Sequence, residues 1–288
     1  MKVRLIREVT SPAASGPFQG QYALQRALRR YGPAWLYVGG RLAEGEVPWF
    51  WCWQDAPAAC RCAAEGRPLI LGPNVLFHNS RRPGQLPYER FLCRAASCRL
   101  LFTESAWYRE LIARHLGPAN RAPIAVWPYP VEWPPGYPTD PSDPTDRSDL
   151  LIYAKSGFTP GLLAELARRF PRSEVVRYGH YRRAQLLAAA RRSRACVYLS
   201  DDDRGPLALA EILLCGCPAV GVATGAPWIE PGVNGALVAA LEPDCLAEAV
   251  AVALGTDRAA VAAAARVRFA AETVVGQIVR AVENHVFE

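Results

Sequence analysis

Between Pro128 and Asp149 the chain carries Pro128, Pro130, Pro134, Pro135, Pro138, Pro141 and Pro144, interleaved with Asp140, Asp143, Asp146 and Asp149. Proline lacks a backbone N–H and fixes φ, so this density continues neither a helix nor a central strand. The segment reads as an extended connector near the middle of 288 residues. A chain of that length exceeds one ordinary core, so the connector at 130–149 separates two domains, 1–129 and 150–288. With 51% hydrophobic and 21% charged residues, both are of the globular class rather than disordered, collagenous or disulfide-stapled.

The formal charge of +6 divides unevenly: +9 before residue 130, −4 in the connector and +1 after it. It is built from 31 Arg and two Lys, Lys2 and Lys155, so a lysine is the unusual cation here. The first ten residues carry Lys2, Arg4, Arg7 and Glu8, too charged for the apolar part of a secretory signal. The uncharged run between Glu211 and Glu230 is broken by Gly216, Pro218, Gly221, Gly225 and Pro227, which rules it out as a membrane helix. Cys60-x-Cys62 and Cys215-x-Cys217 do not have zinc-site spacings, and the nine cysteines read as buried thiols of a cytoplasmic protein.

The second half alternates short apolar runs (Leu150–Ala154, Glu174–Tyr178, Ala195–Leu199, Ala219–Val222) with helical stretches at Gly161–Phe170, Arg182–Arg192 and Leu207–Cys215. The first half repeats this with strands at Val3–Ile6, Ala34–Val38, Val47–Trp51, Leu69–Leu71, Leu100–Phe102 and Ile124–Val126, and helices at Gln21–Arg30 and Ser105–Leu116. Such alternation builds parallel sheets covered by helices on both faces, hence two doubly wound α/β domains. Ligands of these sheets bind beyond the carboxyl ends of the strands, so a cleft faced by both domains is the expected site.

Neither half contains a Gly-x-Gly-x-x-Gly fingerprint or a Walker loop; Gly16-Pro-Phe-Gln-Gly20 only approaches one. The informative stretch is Tyr198 to Val220. A strand ends at Ser200, a polar loop follows, and Pro206 suits the first turn of a helix. The N–H groups of Leu207 and Ala208 then form a diphosphate site at the positive end of the helix dipole. Glu211, one turn on, is placed to accept hydrogen bonds from ribose hydroxyls. The alternative is an acidic cluster that merely complements the dipole.

This segment resembles the nucleotide-sugar signature of retaining GT-B glycosyltransferases, the group that includes many bacterial mannosyl- and glucosyltransferases. Ser200, Pro206, Glu211, Gly216, Pro218 and Val220 match it, and the paired acidic positions fall on Asp203 and Glu211. Leu151-Ile-Tyr-Ala-Lys155, Gly232-Val-Asn-Gly235-Ala-Leu-Val, Leu100-Leu-Phe-Thr-Glu-Ser and Trp127-Pro-Tyr-Pro-Val-Glu132 resemble further parts of the family, over most of residues 68–255.

The resemblance implies a GT-B fold of two Rossmann-like domains, donor on the second and acceptor on the first. It implies transfer of a hexose from a nucleoside-diphosphate sugar with retention, without metal or other cofactor. Lys155 takes the place of the diphosphate-binding arginine, and Asp203 that of a glutamate at the transferred sugar. Gly205, Pro206, Leu207, Ala208 and Glu211 line the nucleotide, with Tyr178 and His180 in the base-binding loop. A usual histidine falls on Asn74, with His78 close by. The second basic residue has no match near Phe158–Gly161; Arg182 and Arg183 are the candidates, set against a merely solvated helix start.

Other readings stay open. Asp201 and Asp203 form the Asp-x-Asp by which GT-A transferases hold a metal, and the departures also fit a non-catalytic GT-B-like binding subunit. Seven of eight tryptophans precede residue 134, and Trp49, Trp51 and Trp53 share one strand face. They serve either as a core or as a stacking platform for a carbohydrate, lipid-linked or small-molecule acceptor. The +9 domain suits peripheral contact with an anionic membrane; no nucleic-acid motif accompanies it.

Overall fold

The structure is a computed structural model describing residues 1–11, 16–74, 86–133 and 148–287. Residues 134–147 of the expected connector, and His78, lie outside the described residues. The chain divides into two compact units, Met1–Glu132 with Ala270–Glu288, and Trp133–Phe269.

The first unit contains β1 (Lys2–Leu5), α1 (Gly16–Tyr31), β2 (Leu36–Val38), β3 (Glu46–Cys52), α2 (Ala56–Ala64), β4 (Leu69–Asn74), α3 (Pro87–Arg94), β5 (Cys98–Thr103), α4 (Ala106–Leu116) and β6 (Ile124–Val126). Its six strands are parallel in the order β2-β1-β3-β4-β5-β6. The second unit contains β7 (Ser148–Ala154), α5 (Pro160–Arg169), β8 (Ser173–Arg177), α6 (Arg183–Arg192), β9 (Ser193–Leu199), α7 (Leu207–Leu214), β10 (Ala219–Val222), β11 (Gly235–Val238), α8 (Pro243–Ala253) and α9 (Arg258–Phe269). Its five parallel strands run β11-β10-β9-β7-β8. The last helix, α10 (Ala271–Val286), packs on α1 and β5 of the first unit.

Strand order reverses between β7 and β9, since β8 flanks β7 on one side and the later strands lie beyond β9. The carboxyl ends of β7 and β9 therefore open the crevice where doubly wound sheets bind ligands. Both strands are near-continuous apolar runs because helices cover both faces; Leu150 to Ala154 and Ala195 to Leu199 are buried. Thr159 starts α5 by accepting a hydrogen bond from the Leu162 N–H at 3.2 Å, with Pro160 in the first turn.

In the first unit the alternation along β3 decides what each side chain meets. Phe50 faces the layer of α2, α3 and α4 with Leu69, Leu71, Leu101, Tyr108 and Ile112. Trp49 and Trp51 point the other way and are fully buried, with Phe102 and Trp127 within 4.9–6.3 Å between ring centroids. Trp49 and Trp51 thus form a core and not a stacking platform. Trp53 leaves the expected strand face altogether: β3 ends at Cys52 and Trp53 opens a 3-10 turn, half exposed. Asp55 stops the strand there by accepting the Trp51 and Cys52 N–H groups at 3.3 and 3.1 Å. Trp49 also donates through Nε1 to the Gly72 carbonyl at 2.9 Å. Trp49→Ala is expected to cost about 3–5 kcal/mol in denaturant unfolding, the usual toll for emptying an aromatic core site.

All nine cysteines are unpaired, and seven are buried. Burial pushes the Cys98 and Cys217 thiols up to about 12, away from thiolate chemistry. Among the described residues no helix is long and apolar enough to cross a membrane.

Candidate functional site

The site is built where β7 and β9 end. The N–H groups of Lys155 and Ser156 both donate to the Leu199 carbonyl, at 2.8 and 3.1 Å, which locks the two strand ends together. Lys155 leaves β7 at its first loop position, and its ammonium pairs with the carboxylate of Asp203. The Tyr198 hydroxyl donates to the same carboxylate oxygen at 3.1 Å, and the Asp203 N–H donates to the Thr224 carbonyl at 2.9 Å. Burial raises the Asp203 carboxyl above its ordinary range, and Lys155 opposes that shift. The Tyr178 ring lies 5.1 Å from the ammonium, close enough for a cation–π contact, and is half exposed.

Two glycines shape this loop. Gly157 has φ +69°, and a Cβ there would sit 2.4 Å from the Asp201 side chain. Its absence lets Ser156 donate through its hydroxyl to Asp201 at 2.8 Å, with the Ser200 hydroxyl 3.2 Å away. Gly225 presses against the Ser200 carbonyl so closely that a Cβ would fall 1.6 Å from the oxygen. The Asp201 and Asp203 carboxylates consequently turn to different partners, Ser156 and Lys155. Among the described residues no three His, Cys, Asp or Glu side chains converge as a metal-ligand group.

The helix after the loop begins at Leu207, and Pro206 occupies the capping position rather than the first helical one. Pro206 has no side-chain group to cap α7, so its first N–H groups, including those of Leu207 and Ala208, receive no cap from the residue that precedes the helix. Glu211 is mostly buried one turn further and pairs with Arg183, the first residue of α6. Burial raises the Glu211 carboxyl and the Arg183 guanidinium opposes it.

Lys155, Asp203 and Tyr178 are therefore brought together, and Glu211 meets Arg183. Gly205 sits in the loop that enters α7. His180 is exposed on the turn after β8, its N–H bound to the Arg177 carbonyl at 3.0 Å. Asn234 is a structural clamp: it accepts the Glu230 N–H at 2.7 Å and donates to the Trp228 carbonyl at 3.2 Å, which folds the Gly232–Gly235 turn.

Three tyrosines escaped the sequence reading. Tyr153 and Tyr198 are register partners on β7 and β9, stacked 4.8 Å apart, and the Tyr153 hydroxyl lies 3.1 Å from that of Tyr181. The signal was present, since two tyrosines one residue inside the ends of neighbouring parallel strands share a face.

Asn74 ends β4 in the first unit and is buried there. Its side-chain amide donates to the Tyr129 hydroxyl at 3.3 Å, and that hydroxyl donates to buried Glu104 at 2.8 Å. Gln21 on α1 is fully buried nearby in sequence to Gly20, whose missing Cβ would strike the Tyr129 ring at 2.7 Å. A buried polar cluster thus lies at the carboxyl edge of the first sheet.

Residues 145–256 match the family described as Glycosyl transferases group 1. No curated protein matches the chain. Among solved structures, the chain is similar to sucrose-phosphate synthase from Thermosynechococcus elongatus (TM-score 0.66, 13% identity, 98% of each chain covered). It is also similar to the apo form of the lipopolysaccharide outer core galactosyltransferase WaaB (TM-score 0.65, 11% identity, 99% of each chain). A third likeness is to Anabaena Alr3699/HepE in complex with UDP and glucose (TM-score 0.63, 15% identity, 98% of this chain and 99% of that one). Together with the two parallel sheets, these likenesses establish a GT-B fold. The Asp-x-Asp reading of Asp201 and Asp203 belonged to GT-A proteins, a different fold.

Proposed function

We propose that the protein is a glycosyltransferase that uses a nucleoside-diphosphate sugar as co-substrate. The observation that carries this is the convergence at one switch point of Lys155, the N-terminus of α7 and Glu211 one turn beyond. The family match over residues 145–256 supports it, as does the fold shared with a UDP-bound protein. In this reading Gly205, Pro206, Leu207 and Ala208 hold the diphosphate, Glu211 the ribose, and Tyr178 and His180 the base.

Transfer of a hexose proceeds with retention and without metal. The bond from the anomeric carbon to the phosphate oxygen breaks, and an acceptor oxygen bonds to that carbon on the same face. The acceptor proton passes to the leaving phosphate oxygen. Lys155 and the α7 N–H groups stabilise the charge released on the diphosphate, and Asp203 orients the ammonium and meets the transferred sugar. The first unit takes the carbohydrate, lipid-linked or small-molecule acceptor, with Asn74 and the Tyr129–Glu104 pair at its polar edge; His78 belongs to the same reading.

Thermal shift and calorimetry with UDP, GDP, ADP and dTDP test the donor site. At least one is expected to bind, and Glu211→Ala to weaken it about 10- to 100-fold, as for hydrogen bonds to a charged acceptor. Absence of binding by all four would overturn the proposal. A nucleotide-binding subunit without turnover would bind one of them yet release no nucleotide from any donor sugar.

A further inference from the structure

Glu211 is a mostly buried carboxylate whose side chain retains 13% exposure, whereas its partner Arg183 keeps 44%. Arg183 is fixed as the first residue of α6 by two features of the preceding turn. Gly179 takes φ +80°, and the Arg182 N–H donates to Gln185 Oε1 at 2.7 Å. The guanidinium is thereby delivered sideways onto α7, where its Nε meets Glu211 Oε1.

We infer that Arg183 is a positioning residue for the nucleotide, holding Glu211 as an ionised acceptor for two ribose hydroxyls and so setting a preference for ribonucleotides over dideoxynucleotides. This rests on the donor-site reading above. A carboxylate offers two acceptor oxygens and no donor, matching a pair of vicinal hydroxyls, whereas a protonated carboxyl spends one oxygen as a donor. Burial alone drives Glu211 toward the protonated form, and Arg183 opposes it.

The other ionisable groups around Glu211 supply no substitute. Tyr181, in the turn before α6, and Cys215, at the end of α7, both sense its charge and are both themselves held neutral by burial. Asp203 is committed to Lys155 and Tyr198, and Arg191 lies toward Cys215 at the far end of α6. Removing Arg183 therefore leaves burial unopposed at Glu211, and its protonation moves to higher pH.

The test compares wild type, Arg183→Gln and Arg183→Lys between pH 5.5 and 8.5. The probes are whichever of UDP, GDP or ADP binds most tightly and its 2′,3′-dideoxy counterpart. Wild type is expected to prefer the ribonucleotide by a ratio that changes little with pH. In Arg183→Gln that ratio should fall about tenfold as pH drops from 8.5 to 5.5. Dideoxynucleotide affinity should stay at the wild-type value, and Arg183→Lys, which keeps the charge, should restore the flat profile. Equal weakening of both probes at every pH would overturn the inference, as would tighter ribonucleotide binding in Arg183→Gln. If wild type binds a nucleotide without ribose preference, this inference falls alone; if it binds none, the donor-site reading falls with it.

Discussion

Lys155→Ala is expected to slow sugar transfer by about 10²- to 10³-fold, the scale seen when one preorganised donor to a developing oxyanion is removed. The ammonium stands at the end of β7, at the strand-order reversal, and is held by Asp203 rather than by solvent. A compact cation on a flexible stem suits a crowded diphosphate. The same substitution should also change stability with a recognisable pH signature. Burial keeps the Asp203 carboxyl above its ordinary range, so the folded state binds a proton more readily than the unfolded chain. The contribution of such a group is fully present below the unfolded pKa and is lost as pH rises through the folded one. Lys155 opposes the rise, so deleting it extends the loss to higher pH. Lys155→Ala should therefore be about 3 kcal/mol less stable near pH 7.5 and close to wild type near pH 4. Adding Asp203→Asn should recover most of that stability and none of the activity, which separates the ion pair's structural effect from its chemical one.

Gly225→Ala should be severely damaging to the second unit. The new Cβ would lie 1.6 Å from the Ser200 oxygen and 2.3 Å from its carbonyl carbon. Backbone cannot rotate away as a side chain can, so either the end of β9 or the turn after β10 must move. That displacement passes directly into Asp201, Asp203 and the start of α7. The expected result is a loss above about 3 kcal/mol, together with loss of nucleotide binding in whatever fraction stays folded. Gly161→Ala is the matched control: its Cβ would meet only Thr159 Oγ1, at 3.8 Å, inside helix α5. That change should be neutral or stabilising by up to about 1 kcal/mol. Equal effects from both substitutions in urea unfolding would contradict the packing described for Gly225.

Local signals carried much of the fold. Four of the five strands of the second unit lie within two residues of their expected limits because buried parallel strands write themselves as apolar runs, whereas β11 was not anticipated. Helices α2, α3, α8 and α9 were not anticipated. The first two are short, and α9 reads Arg-Ala-Ala-Val-Ala-Ala-Ala-Ala, where alanine fills both the buried and the exposed faces and erases the stripe. The Trp49-x-Trp51 alternation told which residues share a face but not that the face is covered. Covering depends on helices distant in sequence, and Trp53 depended on where Asp55 ends the strand.

The site shows the same division. Ser200 through Glu211 was legible because one loop and one helix start carry it contiguously. The pairs Lys155–Asp203 and Arg183–Glu211 join residues 48 and 28 positions apart, and only the registers of β7, β9 and the α6–α7 packing bring them together. Arg183 illustrates the limit: sequence left it between a second cation for the diphosphate and a solvated helix start, whereas the fold seats it on the carboxylate assigned to the ribose.

The most direct measurement is nucleotide release from UDP-, GDP-, ADP- and dTDP-sugars incubated with the protein, with and without Mn²⁺. The account predicts slow release from at least one donor, unchanged by Mn²⁺ and lost in Lys155→Ala. No release from any donor, or release that Lys155→Ala leaves intact, would contradict it.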